Sequence, residues 1–115
     1  EEGELSFIFF AGIFSHAVNR IPSQENFCYH EVAFPVKHIQ LEALEIAKKA
    51  ISATCQILNL TKNSLLYARI DLLFDKQKGY LVSELELIEP ELFLEHEMVG
   101  VEKFGKTILK ALSKS

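Results

Sequence analysis

Three carboxylates and one arginine fall at alternate positions of a short stretch: Arg69 and Asp71, then Glu84 and Glu86, within LYARIDLLFDKQKGYLVSELELIEP from Leu66 to Pro90. Alternation is the period of a β-strand, whose successive side chains point to opposite faces. Leu66, Ala68, Ile70, Leu72 and Phe74 would share one face, and Tyr67, Arg69, Asp71 and Leu73 the other. Lys76-Gln77-Lys78-Gly79 reads as a polar turn closed by a glycine free to take φ > 0, and the run from Tyr80 to Ile88 alternates again. Pairing Asp75 with Tyr80 across that loop sets Asp71 opposite Glu84 and Arg69 opposite Glu86, all on one face.

Such a cluster needs a counter-ion, because two like charges about 4 Å apart repel by roughly 4 kcal/mol even at an effective dielectric near 20. One arginine offsets one carboxylate. The remaining two suit a hard divalent cation, and magnesium takes one or two carboxylates together with waters and substrate phosphates. The pattern therefore reads as a metal and phosphate site. The competing reading of the same residues is an exposed hairpin face whose charges are merely solvated.

In order and spacing these residues resemble the metal-binding end of the ATP-grasp ligases, especially the prokaryotic glutathione synthetase type and the D-alanyl-D-alanine ligases. Members carry an aspartate on one strand, in some branches an arginine two residues before it, then a hairpin, then E-x-N and a proline a few residues on. Arg69-Ile70-Asp71, Glu84-Leu85-Glu86 and Pro90 stand in those places. The resemblance implies that Asp71, Glu84 and Glu86 are magnesium ligands and that Arg69 faces phosphate or the substrate carboxylate. Glu86 replaces the more usual asparagine, which keeps an oxygen donor and adds a charge. Nearer the N-terminus, FAGIFSHAVNRIP resembles the same branch, and on that resemblance Arg20 reaches ATP phosphates while His16 lines the same groove. Read as bare residues, a lone strand histidine is more often structural. The chain also departs from its relatives: Cys28 stands where glutathione synthetases have an arginine, and a pair of glycines is missing near Phe34-Pro35. A thiol cannot supply arginine's bidentate hydrogen bonds to carboxylate or phosphate.

The elements that must position these groups follow from punctuation and period. Leu5 to Ala11 is a short apolar run of buried-strand type, Ala11-Gly12 a turn, and Ile13 to Arg20 a second strand. Ser23 to Lys37, bracketed by Pro22 and Pro35, reads as a loop with one extended piece at Tyr29–Phe34. Ile39 to Leu58 is a helix with Leu41, Leu44, Ile51, Cys55 and Leu58 as its core stripe, a Glu45–Lys49 pair on its surface and Asn59 at its exit. Glu91 to Glu97 is acidic and irregular. The last helix carries Val101, Phe104, Ile108 and Leu112, is weakened by Gly100 and Gly105, and ends in Lys106, Lys110 and Lys114, which suit its dipole.

A chain of 115 residues that is 49% hydrophobic can build the core of one domain. A net charge of −4 with scattered lysines gives no footprint for nucleic acid. No apolar run approaches the roughly 20 residues of a membrane span, and no basic segment precedes the first apolar stretch. A soluble, cytoplasmic protein is expected, with Cys28 and Cys55 as free thiols. The expected fold is α+β, an antiparallel sheet built from hairpins and faced by helices. The resemblance makes it the C-terminal half of an ATP-grasp module, with residues 1–115 a fragment of a longer ligase whose N-terminal remainder supplies the substrate domain and lid. It implies an ATP- and magnesium-dependent ligase joining a small-molecule carboxylate to an amine. The alternative is a non-catalytic ATP-grasp-like domain that serves as a folding unit or interaction partner.

Overall fold

The computed structural model describes the backbone of residues 3–25 and 28–113, and within these the side chains other than those of 24–25 and 28–30. Five strands run β1 (Glu4–Phe10), β2 (Ile13–Glu25), β3 (Cys28–Pro35), β4 (Tyr67–Asp75) and β5 (Gly79–Glu86). They form one sheet in the order β3-β2-β1-β4-β5, antiparallel throughout. Helix α1 (Leu41–Leu58) lies between β3 and β4 in the chain, and α2 (Met98–Ser113) follows β5. The fold is thus the expected α+β sheet of hairpins faced by helices. No helix among the described residues is long and apolar enough to cross a membrane.

The first hairpin turns at Ala11-Gly12, whose φ values of 51° and 80° are both positive. That pair of left-handed residues is the geometry a two-residue hairpin loop needs to match strand twist. One turn of chain later, Ser15 is an extra residue in β2, because Ile8 pairs with His16 and Phe9 with Phe14. This bulge brings Ser15 and His16 both into buried positions.

Beyond Arg20 the extended piece expected at Tyr29–Phe34 is present as β3, but residues 21–25 continue β2 where a loop is expected. β2 continues to Glu25 and pairs with the whole of β3, Val18 opposite Pro35 through Glu25 opposite Cys28. Pro22 is tolerated because β1 pairs only as far as Arg20, so the missing N–H falls where β2 has one neighbour instead of two. Pro35 ends an edge strand for the same reason.

Helix α1 packs on the face carrying Phe7, Phe9, Ala17, Ala68, Ile70 and Leu72. The stripe it buries is Ala43, Ala47, Ile51 and Cys55, not the leucines that periodicity favours. Leu41 and Leu58 are exposed at the two ends, and Leu44 is half-buried. Small alanines win because the sheet already offers two phenylalanines, and the helix must approach closely to close over them. Asn59 takes φ 55° and its N–H caps the helix on Cys55 and Gln56 carbonyls. The surface ion pair is Glu45–Lys48 at 3.9 Å, one residue short of the expected partner. Cys55 is a buried free thiol, while the side chain of Cys28 lies outside the described ones.

The opposite face is covered only in part. Ile8, Phe10 and Val18 of the sheet meet Phe93 from the segment after β5, with Leu92, Leu94 and Phe104 of α2 around them. Phe104 stacks on Phe10 at 4.8 Å between ring centroids. Among the described residues, no helix covers the other half of that face, toward Glu4, Arg20, Asp71 and Glu84.

Candidate metal and phosphate site

The uncovered half of the sheet is where the charged side chains gather, and strand register puts them there. Ser6 of β1 lies between Val18 of β2 and Asp71 of β4, and Glu4 lies beside Arg20. On the far side Asp71 faces Glu84 and Arg69 faces Glu86, as the alternation predicts. The register at the turn differs, however, since Asp75 pairs with Gly79 and Phe74 with Tyr80. Gly79, at φ 81°, closes a tighter loop than expected, and the Asp75 carboxylate accepts the N–H groups of Gln77 and Lys78 at 2.8 Å. A bulge at Ser83 then inserts one residue between the Leu72–Val82 and Asp71–Glu84 pairs and restores the expected parity. The Ser83 hydroxyl sits against the Asp71 carbonyl and the Glu4 carboxylate.

Asp71 is the hub. Its side chain has no exposed surface. Arg69 grips it with two parallel bonds, Nε to Oδ1 at 3.0 Å and Nη2 to Oδ2 at 2.9 Å, the strongest form of such a pair. Arg20 Nη2 donates to the same Oδ2 at 3.0 Å. Arg20 is otherwise spread over Glu4 at 2.8 Å, Glu31 at 3.0 Å and the Ser6 hydroxyl at 2.8 Å. Arg69 Nη2 also reaches Glu86 at 3.1 Å and Glu84 at 4.0 Å. Five carboxylates therefore surround two guanidiniums, leaving three negative charges over.

The titration behaviour follows from this imbalance. The Glu84 carboxyl is pushed above its ordinary range by the adjoining Glu86, through a shared hydrogen bond and charge repulsion, with Asp71 adding to the effect. Burial opposes the Arg69 charge, but Asp71, Glu86 and Glu84 outweigh it and hold that guanidinium above its usual pKa. Oxygens of Asp71, Glu84 and Glu86 lie within 4.8 Å of one another. An all-oxygen donor set with surplus negative charge fits magnesium or another hard cation. The donors are unequal: Glu84 is half-exposed and Glu86 partly so, while both Asp71 oxygens already serve arginines.

His16 does not join this cluster. It is buried on the covered half of the same face, with Nδ1 at 2.7 Å from the Ser15 hydroxyl and Nε2 at 2.8 Å from the Leu92 carbonyl. Burial lowers its pKa. A carbonyl can only accept, so Nε2 carries the proton and Nδ1 accepts from Ser15. Gly100 of α2 packs against the ring: a Cβ there would fall 2.7 Å from Nδ1.

Several participants escaped the sequence reading. Glu4 and Ser6 alternate with Ile8 and Phe10 on β1, a period-two signal that was available. Glu31 lay in the expected extended piece Tyr29–Phe34, but nothing in the sequence gave the β2 pairing that brings it to Arg20. Phe93, whose ring lies 5.7 Å from the Arg69 guanidinium carbon, gave no signal, because nothing local marks one aromatic residue in an acidic loop as a lining residue.

No family model matches the chain, and no curated protein matches its sequence. Solved structures do. D-cycloserine synthetase DcsG superposes with a TM-score of 0.82 at 25% identity, over 97% of this chain and 39% of that one. D-alanine–D-alanine ligase from Bacillus anthracis, complexed with ATP, gives 0.59 at 20% identity over 96% of this chain and 38% of that one. The ATP-grasp ligase PsnB, complexed with a phosphomimetic variant of its minimal precursor, Mg and ADP, gives 0.58 at 14% identity over 95% and 33%. The chain thus spans well under half the length of each.

Proposed function

For a chain that carries part of the ATP-grasp ligase fold, we propose that residues 1–115 form the C-terminal subdomain of an ATP- and magnesium-dependent carboxylate–amine ligase and hold its metal and phosphate site. The observation that supports this most is the surplus of carboxylate oxygens at Asp71, Glu84 and Glu86, which Arg69 and Arg20 do not balance once Glu4 and Glu31 are counted. Glu84 and Glu86 would supply the accessible ligands and Asp71 the buried one; the cation would neutralise nucleotide phosphates. In the proposed reaction a substrate carboxylate oxygen attacks the γ-phosphorus of ATP and ADP leaves. The amine nitrogen then attacks the acyl carbon, inorganic phosphate leaves, and the amine's extra proton goes to solvent or to a base.

This chain's own contribution is positioning and charge. Arg69, locked by Asp71 and backed by Phe93, presents a fixed guanidinium toward charge that develops on transferred oxygens. Arg20 borders a cleft of about 200 Å³ with Glu4, Pro22 and Glu31, where a phosphate would exchange with those carboxylates for its Nη groups. The second reading, a non-catalytic domain, draws on Asp71 itself: a carboxylate fully buried between two arginines is also what a purely structural ion network looks like.

Thermal unfolding with and without millimolar magnesium separates the two. Stabilisation of the wild type that disappears in Glu84→Gln supports the ligase site; no stabilisation of the wild type supports the structural network.

A further inference from the structure

Of the contacts that tie the segment between β5 and α2 to the sheet, one set leads from His16 to Arg69. His16 Nε2–H donates to the carbonyl of Leu92. The next residue is Phe93, nine-tenths buried, in the left-handed conformation at φ 53°. A phenylalanine holds that conformation only where its surroundings over-determine it. Its ring lies under Arg69 at 5.7 Å, close enough for a cation–π attraction. Its N–H is held by the Glu91 carboxylate at 3.2 Å, and the Glu91 carbonyl lies 3.4 Å from Arg69 Nη1. Arg69 thus has Asp71 and Glu86 on one side and this segment on the other.

Two further features show that the His16 ring is itself held in place. Ser15, delivered by the β2 bulge, satisfies Nδ1 and so keeps the proton on Nε2, aimed at Leu92. Gly100 leaves room for the ring where any side chain would collide with it, and Lys103 Nζ donates to the Ser15 carbonyl at 3.2 Å, fastening α2 to the same spot.

We infer that His16 is a positioning residue for Arg69: through the Leu92 carbonyl it seats Phe93 and fixes the guanidinium that the proposed phosphate site relies on. His16 then serves the site without lining it. The inference rests on the proposed ligase reading only for the use made of Arg69, and not for the coupling between the two residues.

The test follows the Arg69 Nε–H, which donates to Asp71 Oδ1 at 3.0 Å, by its nitrogen-correlated NMR signal and its exchange with solvent. The isolated chain is used, without metal or nucleotide. His16→Gln keeps a donor near the position of Nε2 and should retain a protected Arg69 signal. His16→Leu loses the donor and should raise Arg69 exchange by on the order of tenfold, the factor that about 1.4 kcal/mol of lost hydrogen bonding produces. Phe93→Leu, with His16 untouched, should act in the same direction. Unchanged Arg69 exchange in a folded His16→Leu overturns the proposal. Should His16→Leu not fold, Phe93→Leu decides: unchanged exchange there removes the necessary link and overturns it equally. Because the readout involves neither magnesium nor ATP, failure of the wild type to bind magnesium would count against the proposed function and leave this coupling standing.

Discussion

Replacing Asp71 by asparagine would leave two nearly buried guanidiniums without the carboxylate they share. Removing one partner of a buried ion pair costs about 3–5 kcal/mol, and Arg20 and Arg69 retain Glu4, Glu31 and Glu86, so the lower end is expected, read as a loss in urea-unfolding free energy. Glu86→Gln should behave differently. The amide oxygen can still accept from Arg69, and the substitution removes a charge that repels Glu84. Its melting temperature in metal-free buffer should equal or exceed that of the wild type, by the small margin of a solvent-screened pair, while stabilisation by magnesium is lost. A lower melting temperature would mean that the pairing with Arg69 outweighs the repulsion. Glu84 itself offers a direct reading. Its carboxyl titrates above the ordinary 4.5 because of Glu86 and Asp71, so the stability it contributes is present below pH 4.5 and declines as the pH rises through its raised value. A bound cation cancels that repulsion, and the Glu84 carboxyl-carbon titration should move down when magnesium is added. A curve that does not move argues against binding at Glu84.

At the level of elements, the two glycines of α2 should respond in opposite directions to the same change. Gly105→Ala meets open space and should stabilise the helix by roughly 0.5–1 kcal/mol. Gly100→Ala gains the same propensity but drives a methyl into the His16 ring, and overpacking of this kind costs typically ~1–3 kcal/mol; denaturant midpoints of the two variants check the sign. His16 also links the strands to solution pH. Its pKa is lowered chiefly by burial, with Lys103 acting in the same direction and the Leu92 carbonyl, Glu97 and Glu95 opposing. Below pH 6.5 the unfolded chain takes up a proton that the folded chain refuses, so stability declines as the pH falls from 6.5 to the lowered folded value. The wild-type melting temperature should therefore fall more steeply than that of His16→Gln across that window. What could be read in advance from the sequence divides along the same physical line. Both hairpins and the facing of Asp71 by Glu84 were legible because period two and glycine turns are local signals. The Ser83 bulge was not, since the one-residue error at the turn and the bulge cancel where the site lies. β3 was legible as an extended piece at Tyr29–Phe34, but its pairing along a lengthened β2 was not, because Pro22 and Pro35 argue for a loop and only the strand order makes them harmless. The Ala43–Ala47 contact face of α1 was invisible too, because the preference for small residues comes from the phenylalanines facing it, far away in sequence.

Across the whole molecule, charge and space together limit what this chain does alone. Both arginines of the cluster are engaged by its own carboxylates, and the cluster as a whole is negative. A nucleotide triphosphate approaching it meets repulsion until a cation intervenes. The cleft beside Arg20 has a volume of about 200 Å³, below the roughly 300–1,000 Å³ of sites that enclose a ligand of that size. The chain also spans only 39% of D-cycloserine synthetase DcsG and 33% of PsnB. Calorimetric titration of the isolated chain with magnesium ATP should therefore show no saturable binding in the low micromolar range, even where magnesium alone raises the melting temperature. Saturation at low micromolar ATP would place the adenine and phosphate contacts among residues 1–115. The variant Arg20→Ala would then show whether the cleft between Glu4 and Glu31 holds the phosphates, because releasing both carboxylates from their shared cation should abolish that binding.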